Sequence, residues 1–361
     1  MPLEFAQRIR RIPVYPVASG YDLGEDVALL ASNESCFAPL PEVVEAGQRV
    51  LAGTHRYPDP AYSPLRRALS DRYGIAPGRI ALGNGSCDIL LAAGEALLEP
   101  GAEVVYAWPA FSVYPHLAAA SGARALEIQL DGEDRHDLDA MAAELTMATR
   151  LVLICNPNNP TSTALGLDRV SAFLERVPPH VCVILDEAYC EFSLAIGDPY
   201  ASLDLLREHP NLVILRTFSK VYGLASLRVG YALCGSEDFR IAVDQVRQPF
   251  YLSNVAQAAA VESLRHQDEV ERRVTRTLAA RMTLEEDLRR LGLWVAESDA
   301  NFVWLHLPEG AEEPDVVKGL AERGVLVRAG ASLGREGALR VTVGTERENE
   351  RFVAALGELL R

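Results

Sequence analysis

Short, uniformly apolar runs alternate with amphipathic stretches through the middle of the chain. Leu151-Val152-Leu153-Ile154-Cys155 ends in Asn156-Pro157, and Val181-Cys182-Val183-Ile184-Leu185 ends in Asp186-Glu187. Leu212 to Leu215 ends in Arg216-Thr217-Phe218-Ser219-Lys220, and a fourth run covers Leu227 to Leu233. Runs this short, rich in Val and Ile, suit strands covered on both faces. Leu167, Val170, Ala172, Phe173 and Val177 recur at helical spacing between the first two runs, and a shorter helix over 201–208 joins the second to the third. Strand–helix–strand succession predicts parallel strands with right-handed crossovers. The polar residues after the first three strands then gather at one carboxyl-terminal edge, where ligands bind in open α/β sheets. Asn159, Asp186 and Lys220 are expected to be neighbours there.

The pattern changes near Asn254. Residues 256–290 read as long helical sequence heavy in Glu and Arg. Strand candidates follow at 301–307 and 339–343, with a helix over 314–323 between them and another from Glu348. The expected architecture is α/β: a large unit over 35–245 with a mostly parallel sheet flanked by helices, and a small α+β unit from 1–34 and 246–361. The length agrees with two units, because single cores stop growing near ~250–300 residues.

Composition narrows the function. Hydrophobic residues at 49% and charged residues at 24% describe a globular protein with a sizeable core. A net charge of −15 argues against nucleic acid or anionic membrane as general partners. A small anion held by a few focused arginines stays compatible. No basic-then-apolar leader and no membrane-length apolar stretch is apparent, so a cytoplasmic location is expected. The six cysteines show no C-x-x-C spacing and the seven histidines no H-E-x-x-H. Buried reduced thiols and no bound metal are therefore expected.

Lysine is almost absent. Of 35 basic residues only Lys220 and Lys318 are lysine. An amine can lose its proton and form an imine with an aldehyde, which a guanidinium cannot. Lys220 follows a strand run, whereas Lys318 sits in a helical pattern and reads as a surface residue. Gly83-Asn84-Gly85-Ser86 precedes an apolar helical run, Ile89 to Leu98, stopped by Pro100. That puts Ser86 and Cys87 at a helix start, where free N–H groups and the dipole favour an anion. Gly83-x-Gly85-x-x-Asp88 lacks the third glycine of a dinucleotide loop.

Taken together the motifs resemble the fold-type I, pyridoxal-phosphate-dependent aminotransferases, specifically their histidinol-phosphate aminotransferase branch. The resemblance rests on Leu30-Ala31-Ser32-Asn33-Glu34, Arg56-Tyr57-Pro58-Asp59, Gly83-Asn84-Gly85-Ser86, Asn156-Pro157-Asn158-Asn159-Pro160-Thr161, Asp186-Glu187-Ala188-Tyr189, Thr217-Phe218-Ser219-Lys220, Leu227-Arg228-Val229-Gly230 and Arg340-Val341-Thr342-Val343-Gly344, in that order. It implies pyridoxal 5'-phosphate as cofactor. Lys220 would hold it as an imine and shuttle a proton, and Asp186 would keep the pyridine nitrogen protonated. Tyr189 and Asn159 would contact the ring's phenolic oxygen, and Phe111 would stack on the ring. Ser86, Cys87, Ser219 and Arg228 would hold the phosphate, with Tyr57 reaching across from the other subunit of a homodimer. Arg340 and Arg328 would clamp a substrate anion, with Tyr15 and Asn33 in the entry segment.

The chain departs from the usual pattern at four places. Cys87 replaces an acidic residue, Ser162-Thr163 stand where glycine is usual, Phe111 stands in place of a tyrosine, and Ser226 in place of a glycine. The Asn-Pro-Thr-Ser-Thr variant with Phe111 also resembles aromatic amino-acid aminotransferases of the same branch. The resemblance implies transamination between a small amino donor and a 2-oxo acid. Histidinol phosphate with 2-oxoglutarate is the expected pair, phenylalanine or a related aromatic amino acid the alternative donor. A phosphothreonine-type decarboxylation is a third reading.

Overall fold

Apolar runs become strands here because helices cover both sides of one large sheet. The computed structural model describes residues 3–5, 9–10, 12 and 26–361. Its strands are β1 Ala28–Leu29, β2 Ile80–Gly83, β3 Glu103–Trp108, β4 Arg124–Gln129, β5 Thr149–Cys155, β6 Cys182–Asp186, β7 Leu212–Thr217, β8 Gly230–Cys234, β9 Trp294–Val295, β10 Phe302–His306, β11 Val325–Leu326, β12 Arg328–Ala329 and β13 Ala338–Thr342. The large sheet runs β2-β8-β7-β6-β5-β3-β4. Side chains alternate between two apolar layers. Val152, Ile154, Val183, Leu185, Leu212 and Ile214 enter one, and Leu151, Leu153, Ile184, Val213 and Leu215 enter the other. This is the period-two alternation of a strand buried on both faces.

Only β8 runs against its neighbours, pairing antiparallel with both β7 and β2. The other six strands point the same way, so Gly83, Trp108, Cys155, Asp186 and Thr217 end at one edge, where β8 begins at Gly230. The fourth apolar run is therefore shorter as a strand than its sequence suggests. Ala225–Leu227 form a 3-10 turn, and Arg228 sits in the left-handed region at φ 55° before β8 starts.

A four-stranded antiparallel sheet, β12-β13-β10-β9, lies beyond, with β1 and β11 forming a short parallel pair. Its core joins Val303, Leu305, Leu339 and Val341 to Leu284, Leu288, Phe352 and Leu356 of helices Gln267–Arg290 and Glu346–Leu359. The closing helix is fixed at its start by a capping box, Thr345 with Glu348. The sequence between 256 and 290 is two helices, Asn254–Ser263 and Gln267–Arg290. The first packs with Val43, Tyr62 and Leu65 in a core of the large sheet through Ala256, Ala259 and Ala260. It lies within 246–361, the span expected for the small unit.

The six cysteines carry free thiols, with Cys155, Cys190 and Cys234 buried and Cys36, Cys87 and Cys182 partly so. Among the described residues no cluster of His, Cys, Asp or Glu is disposed to hold a metal. No helix among them is long and apolar enough to cross a membrane.

Candidate active site

The common strand edge opens into a cavity of about 390 Å³. Asn33, Ser86, Cys87, Phe111, Asn159, Asp186, Tyr189, Ser219, Lys220, Arg228, Arg328 and Arg340 all line it. Tyr57 does not. It is 80% exposed and its ring stacks on Phe250 with centroids 4.5 Å apart. Tyr15 lies outside the described residues. Lys318 is an exposed helix residue within 3.9 Å of Glu322.

Lys220 follows β7 by three residues and extends back into the cavity. Its ammonium donates to the carbonyls of Asn33 (2.9 Å) and Ser32 (3.3 Å). Removal from water lowers its pKa to about 7, and the Arg340 guanidinium adds to the effect against the opposing pull of Glu34. The amine is thus partly neutral at physiological pH, the state that can attack a carbonyl.

Asp186 is the last residue of β6, and burial raises its carboxyl to about pKa 7. Tyr114 opposes that rise by donating to Oδ2 at 3.2 Å. Oδ1 is buried and accepts no hydrogen bond. A buried carboxylate oxygen without a partner costs free energy unless a donor reaches it. Tyr114 is a residue that the motifs did not single out. Its signal was weak: it stands three positions after Phe111 at a helix start, and the two rings meet edge to face at 5.9 Å.

Asn159 and Arg340 join the two sheets, with the guanidinium donating to Asn159 Oδ1 and to the Ala31 carbonyl at 2.6 Å each. Arg328 and Arg340 stand directly opposite each other on β12 and β13, so they share a face. Asn33, at φ 54°, donates from Nδ2 to the Tyr189 hydroxyl at 3.1 Å. Burial pushes that phenol well above its ordinary pKa, against the pull of Arg340.

The helix Ser86–Leu97 starts at the same edge, with no side chain capping it. Glycine is required around it. A Cβ on Gly230 would lie 2.2 Å from the Ser86 amide nitrogen. Gly85, at φ 83°, leaves room for the Arg228 guanidinium, which a Cβ would meet at 2.5 Å. The helix start, Ser219 and the Arg228 guanidinium thus belong to one cavity, and a helix start with a cation beside it is suited to an anion.

The profile of the family described as Aminotransferase class I and II matches residues 25–356. The chain belongs to this family. This aminotransferase is 44% identical to the aromatic amino acid aminotransferase of Thermobifida fusca, over 90% of its own length and 88% of the relative. It is 40% identical to the histidinol-phosphate aminotransferase of Moorella thermoacetica, over 93% and 86% of the two chains. A solved histidinol-phosphate aminotransferase from Sinorhizobium meliloti, in complex with pyridoxal-5'-phosphate, superposes with a TM-score of 0.86 at 28% identity. The match covers 99% of this chain and 97% of that one. The aminotransferase thus resembles in sequence enzymes carrying either of two substrate names.

Proposed function

We propose that this chain is a pyridoxal-phosphate-dependent aromatic amino-acid aminotransferase working with a 2-oxo acid acceptor. The observation that carries the chemistry is the buried, unpartnered Oδ1 of Asp186, a residue that lines the same cavity as Lys220. A protonated pyridine nitrogen is a donor of the kind this oxygen lacks, and the glycine-lined helix start beside Arg228 fits a phosphate. The residues present fit the cofactor. Lys220 would hold it, with Asp186 under the ring nitrogen and Phe111 against the ring. Tyr189 and Asn159 would meet the phenolic oxygen, and Ser86, Cys87, Ser219 and Arg228 the phosphate. Tyr57, exposed here, would complete the phosphate site of a second copy.

When bound, pyridoxal phosphate supplies a ring that accepts the electron pair left as the donor's α-carbon loses a proton. Lys220 Nζ takes that proton and returns it, a role suited to an amine whose pKa lies near 7. Asp186, ionised beside a cation, would keep the ring nitrogen protonated. Arg340 and Arg328 grip the substrate carboxylate. Two guanidinium groups opposed across a sheet repel each other, and an anion between them offsets the repulsion. Asn159 and Ala31 hold Arg340 in orientation. In the same reading the large sheet carries the cofactor and β12 and β13 carry the clamp.

Aromatic donors are preferred to histidinol phosphate because the cavity that the two arginines line also carries the apolar side chain of Leu333. The names of relatives such as that of Thermobifida fusca agree. The paired arginines and the Moorella thermoacetica relative support histidinol phosphate as the second reading. Single-turnover loss of cofactor colour decides between them. Phenylalanine is expected to react with the higher rate constant per unit concentration, and 2-oxoglutarate to restore the colour. Faster reaction with histidinol phosphate would overturn the aromatic assignment, and carbon dioxide release from phosphothreonine would overturn transamination.

A further inference from the structure

We propose that Leu333 selects the donor's side chain, and that Asp134 positions the turn that presents it. The inference rests on the aromatic reading and names the residue that carries it out. Leu333 ends the 3-10 turn Ala331–Leu333 between β12 and β13, the two strands that bear Arg328 and Arg340. Among the described residues lining the cavity it is the one branched aliphatic side chain. Its other side packs on Trp304, Ala296 and Ala338, so it cannot retreat from the cavity without opening a void behind it. A substrate whose carboxylate is held by the two guanidinium groups leaves its apolar side chain to meet Leu333.

The turn is anchored on three sides. Glu313 accepts from the backbone N–H groups of Ala331 (3.0 Å) and Gly337 (2.7 Å). Gly334, at φ 99°, lies so near Trp108 that a Cβ would sit 2.7 Å from the indole, which presses the turn against the segment leading to Phe111. Arg335 donates to Asp134 Oδ1 at 3.1 Å. The second oxygen of Asp134 accepts from Trp304 Nε1 (3.1 Å) and lies 3.0 Å from His306 Nε2. This carboxylate belongs to the loop between β4 and β5, yet three side chains of the smaller sheet and its turn converge on it. Its own backbone carbonyl accepts from Thr163, in the loop that carries Asn159. One buried residue, only 3% exposed, thus registers the apolar wall against a residue that orients the clamp.

The test is a graded donor series on the holoenzyme. An apolar contact of one or a few methylenes discriminates by roughly 10–200-fold. Leu333→Ala is expected to lower kcat/KM for phenylalanine by about tenfold or more and for alanine by less than about twofold, since a methyl group cannot reach the wall. Leu333→Val should fall between. Calorimetric binding of 3-phenylpropionate should weaken in parallel, while propionate binding holds. For the positioning claim, Arg335→Gln should raise KM for phenylalanine with kcat unchanged, and Arg335→Lys should restore it. An equal loss on phenylalanine and alanine, or none on phenylalanine, would overturn the role of Leu333. A kcat loss in Arg335→Gln without a KM change would overturn the role of the clasp. The donor preference of the unmodified enzyme tests the aromatic reading separately, because the size dependence at Leu333 is read within the unphosphorylated series.

Discussion

Removing the Tyr114 hydroxyl is expected to cost the cofactor-free protein more stability in mild alkali than in mild acid. Tyr114→Phe keeps the ring that packs in the core and deletes only the donor to Asp186 Oδ2. Oδ1 already lacks a partner, so the carboxyl loses the one side-chain hydrogen bond that supports its charge. Asp186 titrates near 7 in the folded protein, well above its range in an unfolded chain. The folded state therefore holds an extra proton across about pH 4 to 7, and the stability tied to that proton is lost as pH rises through about 7. Above that point the acceptor is charged and its hydrogen bond is worth about 1.5–3 kcal/mol; below it the acceptor is neutral and the bond is worth about 0.5–1.5 kcal/mol. The difference, about 1 kcal/mol, should also move the carboxyl titration up by somewhat less than one pH unit. Urea unfolding of both proteins at about pH 5 and about pH 8 measures the cost, and infrared titration of the protonated carboxyl measures the shift. An equal cost at both pH values, or a larger one in acid, would refute the reasoning.

The same geometry sets the behaviour of Lys220 and of Gly230. Capture of an aldehyde by the cofactor-free protein should rise with pH through about 7, where the folded state releases the Lys220 proton that an unfolded chain would keep to about 10.5. By the same sign Lys220→Met should stabilise that protein at neutral pH, and a capture midpoint near the ordinary lysine value would contradict both. Gly230→Ala should force the helix start away from β8, with a loss of about 1–3 kcal/mol in urea unfolding. Faster release of the cofactor on dialysis should accompany it, and unchanged retention would remove that helix start from the anion site.

The parts of this molecule that were legible in the sequence are those that local pattern encodes. Apolar runs ending in Cys155, Asp186 and Leu215 marked parallel strands, and strand order alone then brought Asn159, Asp186 and Lys220 to one edge. Long-range geometry was not legible. Tyr114 and Asp186 are separated by 72 positions, and Asp134 and Arg335 by 201, with no periodicity linking either pair. Leu227 to Leu233 looked like a full strand because hydrophobicity does not report φ, and Arg228 adopts a left-handed conformation inside the run. Helix Asn254–Ser263 packs with residues of the large sheet, and an apolar face does not by itself name the core that it enters. Tyr57, exposed and stacked on Phe250, is expected to act only in a second copy of the chain, which no single-chain pattern can display.

The scarcity of lysine makes the central claim unusually direct to test. Pyridoxal phosphate added to the purified protein, fixed by hydride reduction and followed by peptide mapping, reports which amine holds the cofactor. The account predicts a stoichiometric label on Lys220 and its loss in Lys220→Ala. A label on Lys318 or the terminal amine, with Lys220 unmodified, would contradict it.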